Sequence, residues 1–240
     1  MPSLAGIRDR LRGSSPAKHD EELRWWLEKW DPVIRDGGLF PGDALELLDE
    51  TAAEPTYLGR RWQQARAEVR RVVREAALDA EGFFEGKVVV DIGPGPLGFP
   101  DACPAALAIG VEPLAEPLAE HDLLLPDSRA LYLAIGAERI PLLSQSVDVV
   151  LARNSLDHVD DPEQVLREAQ RLLRPGGTLI LNFDIEHAPT ATEPHTLTVE
   201  RVKAAIDAMS VVHEQRWDHS HGHEGVAVVL RAVTSQLQLP

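Results

Sequence analysis

The chain has 240 residues, enough for one sizeable α/β domain with an appendage, and its 44% hydrophobic and 26% charged content is that of a globular protein. A net charge of −15 argues against duplex nucleic acid as a partner, because neutralising phosphates needs a basic surface. The one cysteine, Cys103, excludes an internal disulfide, and no apolar run approaches the roughly 18 residues of a membrane span.

Residues 1–18 read as a loosely ordered lead-in without the apolar core of a secretory signal, so the expectation is a soluble, cytoplasmic protein. Over 19–30, Leu23, Trp26, Leu27 and Trp30 recur at helical spacing, with Trp25 off the stripe. Most of this tryptophan cluster reads as packing, and Trp25 is the candidate for an aromatic lid over a substrate. Pro32 and Gly37-Gly38 break the pattern, and 42–50 reads as a short helix. Leu58, Trp62, Ala65, Val69, Val72 and Ala76 then mark a long amphipathic helix. Tyr57, Arg60 and Arg61 lead it, and a clamp on a substrate carboxylate is one use for such an arginine.

The chain's most informative stretch follows. Val88-Val89-Val90-Asp91-Ile92 is a β-branched buried strand that breaks into Gly93-Pro94-Gly95-Pro96-Leu97-Gly98. Such glycines permit a sharp turn and a close approach of backbone to ligand. About twenty residues later a second apolar strand, 108–112, ends in Glu112, an offset suited to holding ribose hydroxyls. The glycine spacing also fits a dinucleotide fingerprint. Against that, Pro100 and Pro104 leave no room for the helix that would receive a pyrophosphate, and Asp91 would repel it. A cationic nucleoside suits Asp91 better.

Further strands are expected over 130–135, 146–152 and 178–183. Asp161-Pro162 starts a helix that Gly176-Gly177 ends, and Thr198 caps another carrying Val202, Ala205, Ile206 and Met209. The last strands, 211–217 and 226–233, have no helix between them and so form an antiparallel hairpin. The predicted architecture is α/β: a doubly wound, mostly parallel seven-stranded sheet ending in an antiparallel hairpin, with an N-terminal helical cap. His219-Ser220-His221-Gly222-His223 reads as a polar hairpin turn, and no metal site is expected.

With these residues in view the chain resembles the class I S-adenosylmethionine-dependent methyltransferases. Within them it is most similar to the small-molecule group typified by ubiquinone- and menaquinone-biosynthesis enzymes. Four segments carry the likeness: 90–95, 110–113, the pair 137–141 and 146–150, and Leu172-Leu173-Arg174-Pro175-Gly176-Gly177-Thr178-Leu179. The resemblance implies a methyltransferase domain over 81–240, preceded by the cap and first sheet-packing helix over 19–80. It implies S-adenosylmethionine as cofactor, released as S-adenosylhomocysteine. Asp91 would then serve the cofactor's ammonium group, directly or through water. Gly93 and Gly95 would approach the methionine part, Glu112 the ribose, Ala137 and Glu138 the adenine, and Asn154 the methionine moiety. Gly136 stands where such enzymes commonly have an aspartate.

Methyl transfer from a sulfonium is an in-line displacement in which the protein chiefly positions and desolvates. If the acceptor arrives protonated, His158 and Asp157 are the candidates for catalytic work. Trp25, Tyr57, Arg60 and His187 are the candidates for the substrate side. A small-molecule acceptor is expected; the alternatives are a peptide or protein acceptor and a nicotinamide-dependent oxidoreductase.

Overall fold

The structure is a computed structural model that describes residues 16–36, 56–78, 82–206, 209–218 and 224–232. The predicted lead-in over 1–15, the short helix at 42–50 and the histidine run at 219–223 lie outside the described residues.

Among the described residues seven strands form one sheet: β1 Val88–Ile92, β2 Leu107–Val111, β3 Leu131–Leu133, β4 Val147–Arg153, β5 Leu173–Ile185, β6 Met209–Asp218 and β7 Glu224–Ala232. Their order is β3-β2-β1-β4-β5-β7-β6. The first five run parallel, and β7 is antiparallel to both β5 and β6. Strand order reverses between β1 and β4, and a crevice opens there at the carboxyl ends of the strands. The register pairs Ile92 with Val111 and with Ala152, so β1, β2 and β4 end side by side.

Among the described residues the sheet is flanked by α1 Pro16–Trp25, a π-helical turn Trp26–Trp30, α2 Asp31–Arg35, α3 Tyr57–Glu75, a 3₁₀ turn Gly95–Leu97, α4 Phe99–Ala102, α5 Ala115–Glu120, α6 Pro162–Leu172 and α7 Val199–Ala205. One face of the sheet packs Val90, Ile92 and Val150 against Val165, Leu166 and Ala169 of α6 and Val202 of α7. On the other face Val89, Val149 and Ile180 meet Val72 and Ala76 at the end of α3 and Phe99 of α4. A third cluster joins Trp30 and Ile34 to Leu114, Leu118 and Leu123 around α5. Trp30 and Ile34 are fully buried, and burying a side chain of this size is worth about 1.5–3 kcal/mol before ordering costs. The N-terminal segment is therefore docked on the domain.

Local chemistry explains the element boundaries. Asp161 caps α6 by accepting from the Gln164 N–H at 2.8 Å, with Pro162 in the first turn. Thr56 and Thr198 cap α3 and α7 in the same way, at 3.0 and 3.1 Å. Pro96 and Pro100 leave only a short 3₁₀ turn and a four-residue helix after β1.

Three expectations are corrected. Pro32 does not end the N-terminal helix. The chain widens into a π turn over Trp26–Trp30, in which the Asp31 N–H reaches the Trp26 carbonyl, and helix resumes to Arg35. Met209 begins β6 instead of closing α7, because Ile206 already leaves helical geometry at ψ 46°. The buried face of α3 is not purely apolar: Leu58 is 42% exposed, while Arg61, Gln64 and Glu68 are buried.

Candidate cofactor and acceptor site

Two loops and the N-terminal segment shape the cleft. Gly93 turns at φ +64°, and a Cβ there would come within 2.6 Å of the Ser155 Cβ. Ser155 in turn donates to the Ile92 carbonyl at 2.8 Å, tying the loop after β4 to the end of β1. Gly95 has φ +53°, and a Cβ on it would meet the Trp26 ring at 2.8 Å. Glycine is thus required at both positions by backbone conformation and by close approach.

Glu112 sits just past β2, 6% exposed. Its carboxylate accepts from the Gly95 N–H at 3.0 Å and the Leu114 N–H at 2.9 Å. Burial pushes the carboxyl above its ordinary pKa, against the pull of these two donors. A carboxylate has about four acceptor sites, so capacity for further hydroxyl donors remains. Asn154 leaves β4 in the left-handed region at φ +47°, which asparagine tolerates, and its N–H is held by the Asn182 carbonyl at 2.6 Å.

Gly93, Gly95, Glu112, Ala137, Glu138 and Asn154 all line one cleft, together with Ile92, Val111 and His158. Glu138 also accepts from the Asp160 N–H at 3.0 Å, bracing the loop after β4. Asp91 does not line this cleft. Alternation along β1 sends Val90 and Ile92 to the α6 side and Val89 and Asp91 to the α3 side. Asp91 is 2% exposed, and its Oδ2 is buried without a hydrogen-bond partner. Burial drives its pKa to about 7, although Arg153 opposes the shift. Arg153, largely covered, is ion-paired with the buried Glu68 of α3 at 3.0 Å.

Lys18, His19, Glu22 and Trp26 bring α1 and the π turn onto the cleft, and Ser155 completes its wall. Sequence reasoning did not assign these five residues to the site. The available signal was that Lys18, Glu22 and Trp26 recur every four positions on one helix face.

The remaining candidates divide. Trp25 is 43% exposed and stacks edge-on against Trp26, with ring centroids 4.8 Å apart. The Tyr57 hydroxyl donates to Asp31, and Arg60 donates to the carbonyls of Ile34 and Arg35 at 2.8 and 2.9 Å. These two residues fasten α2 to α3, and none of the three lines the cleft. His187 lies 3.5 Å from Glu193. His158 Nδ1 is 3.0 Å from Glu22, while Nε2 is 3.6 Å from Glu193 and 4.0 Å from Asp157. Burial works against a charged ring at His158, but the Glu22 hydrogen bond and the charges of Asp157, Glu22 and Glu193 outweigh it and raise its pKa. Burial likewise raises that of Asp157, partly offset by His158.

The site's residues fit a nucleoside cofactor. Glycine backbone, a buried acid at the neighbouring strand end and the apolar Ile92, Val111 and Ala137 supply what glycine turn, ribose and base require.

Comparison with known proteins bears on this geometry. Residues 90–181 match the family model described as a methyltransferase domain. An uncharacterised methyltransferase of Mycobacteroides abscessus is 36% identical over 118 residues, covering 46% of this chain and 45% of the relative. The chain thus spans about half the length of the curated relatives it matches. Among solved structures, the cyclase SpnF aligns with a TM-score of 0.59 at 14% identity, covering 93% of this chain and 99% of that one. An S-adenosylmethionine-dependent methyltransferase from Mesorhizobium loti aligns at 0.56 and 16% identity, covering 70% of this chain and 97% of that one. The structural matches show the fold. Residues 90–181 are thus similar to a methyltransferase domain, and the curated relatives matched over part of the chain are uncharacterised methyltransferases.

Proposed function

We propose that this chain binds S-adenosylmethionine and transfers its methyl group to a small-molecule acceptor. The observation that carries the reading is the buried Glu112 carboxylate, bonded to the Gly95 N–H across the ends of β2 and β1. When bound, the cofactor supplies an electrophilic methyl group on its sulfonium. Glu112 holds the ribose hydroxyls, the backbone of Gly93 and Gly95 receives the methionine part, and Ala137 and Glu138 flank the adenine. Asn154 faces the methionine end. Asp91 stands outside the cleft wall and makes no contact with the ammonium group in this reading.

His158 and Asp157 handle the acceptor, by taking up its proton or by orienting it. The reading of a small acceptor draws support from α1 and the π turn, whose Glu22 and Trp26 wall the cleft where an extended peptide would need an open groove. The likeness to a cyclase adds no activity, because a fold shared at 14% identity hosts many chemistries. Thermal shift with adenosylhomocysteine and with NAD separates the methyltransferase from an oxidoreductase. The first should raise the melting temperature and the second leave it unchanged, and the reverse pattern would overturn the proposal.

A further inference from the structure

We propose that Asp157, His158 and Glu193 form a divalent-cation site at the edge of the cofactor cleft, through which the acceptor is oriented. The proposal rests on the methyltransferase reading only for the acceptor; the site itself stands on geometry. One ligand atom from each of the three residues lies within 4.8 Å of the other two. His158 Nε2 is 3.6 Å from Glu193 Oε1 and 4.0 Å from Asp157 Oδ1. Ligands about 2.1 Å from a common ion are separated by about 3.0–4.2 Å, so small side-chain rotations close the site.

Two further observations point to a ligand. Asp157 is 4% exposed, and its Oδ1, which faces the imidazole, is buried with no hydrogen-bond partner. A buried carboxylate oxygen left so is costly, and a cation satisfies it. The other imidazole nitrogen, Nδ1, is engaged by Glu22 at 3.0 Å. An Nδ1–H donated to that carboxylate fixes the tautomer and leaves the Nε2 lone pair facing Asp157 and Glu193, the arrangement that supports metal-binding histidines. Behind Glu193, His187 sits 3.5 Å from Oε2 and leaves Oε1 for the ion.

Two carboxylates and one imidazole suit a first-row divalent ion such as Mn²⁺ or Zn²⁺ better than Ca²⁺ or Mg²⁺. Three protein ligands leave coordination positions open, and His158 borders the cleft, so the acceptor class is a small molecule with a hydroxyl, enol or carboxylate oxygen. The sequence conceals the site because Glu193 follows β5 while its partners follow β4.

The competing account is a proton: an imidazolium neutralising the surrounding carboxylates, with no ion. Chelator-treated full-length protein titrated with Mn²⁺, followed by the loss of free-ion paramagnetic resonance signal, separates the two. The expected result is one tight site, weakened at least tenfold in Glu193→Gln and in Asp157→Asn. It should be unchanged when His219, His221 and His223 are all replaced by alanine. Adenosylhomocysteine affinity, measured in parallel, should be retained in Glu193→Gln and verifies that the variant is folded. Absence of stoichiometric Mn²⁺ binding, or equal affinity in wild type and Glu193→Gln, would overturn the proposal. Adenosylhomocysteine binding without Mn²⁺ binding refutes the ion alone, whereas Mn²⁺ binding without adenosylhomocysteine binding refutes the methyltransferase reading alone.

Discussion

At Gly93 two constraints coincide: a positive φ and a Ser155 side chain that leaves no room for a Cβ. Gly93→Ala should therefore destabilise the protein by about 2–4 kcal/mol, combining left-handed strain with overpacking. Urea denaturation reads this directly, and a loss under about 0.5 kcal/mol would mean that the turn is slack. Asp91 makes a different prediction, about pH. Its folded pKa is raised from 3.8 to about 7. Below 3.8 both states are protonated and the group contributes nothing. Between about 4 and 7 the unfolded chain has released its proton while the folded one retains it, so stability falls as pH rises and levels off above about 7. Asp91→Asn carries no such proton and should lose this part of the decline. Melting curves for the two proteins that stay parallel from pH 4.5 to 7.5 would show that Arg153 already holds Asp91 ionised. Both residues belong to a stretch whose chemistry is legible in sequence. What the sequence hid was the direction of Asp91, since strand alternation puts it on the α3 side, away from the cleft.

At the scale of elements, strands were the most readable. Runs such as Val88-Val89-Val90 bury both faces and need no partner to be recognised. The Asp161-Pro162 start of α6 was equally plain, because a cap is a local interaction. Helix α3 was not. Its buried face includes Arg61, bonded to the Asp122 carbonyl at 3.2 Å, and Glu68, paired with Arg153. Hydrophobic periodicity cannot register a polar face whose partners lie dozens of residues away. The same holds for α2, which is secured by Arg60 at two carbonyls of its last turn. Charged donors to carbonyls are worth about 1.5–3 kcal/mol, so Arg60→Ala should free the end of α2. Amide exchange at residues 34–36 should accelerate by about tenfold or more, while β1 and β4 remain protected. Unchanged exchange there would mean that the Trp30 and Ile34 anchors alone hold the segment.

For the whole molecule, the cleft is assembled from parts of unequal legibility. Glu112 and Gly95 stand 17 positions apart on adjacent strand ends, and their pairing follows from a recurrent β-loop-β layout. Glu22 and His158 stand 136 positions apart, and only docking of the N-terminal helix brings them together. The meeting of the β1 and β2 ends was therefore legible in sequence, while the wall that α1 adds required the fold. The central claim concerns the cofactor, and calorimetric titration with adenosylhomocysteine tests it most directly. The account predicts one site in the wild-type protein, weakened about tenfold or more in Glu112→Ala through loss of a charge-assisted hydrogen bond to ribose. Folded wild-type protein that gives no binding heat, or a Glu112→Ala variant that binds as tightly as wild type, would contradict it.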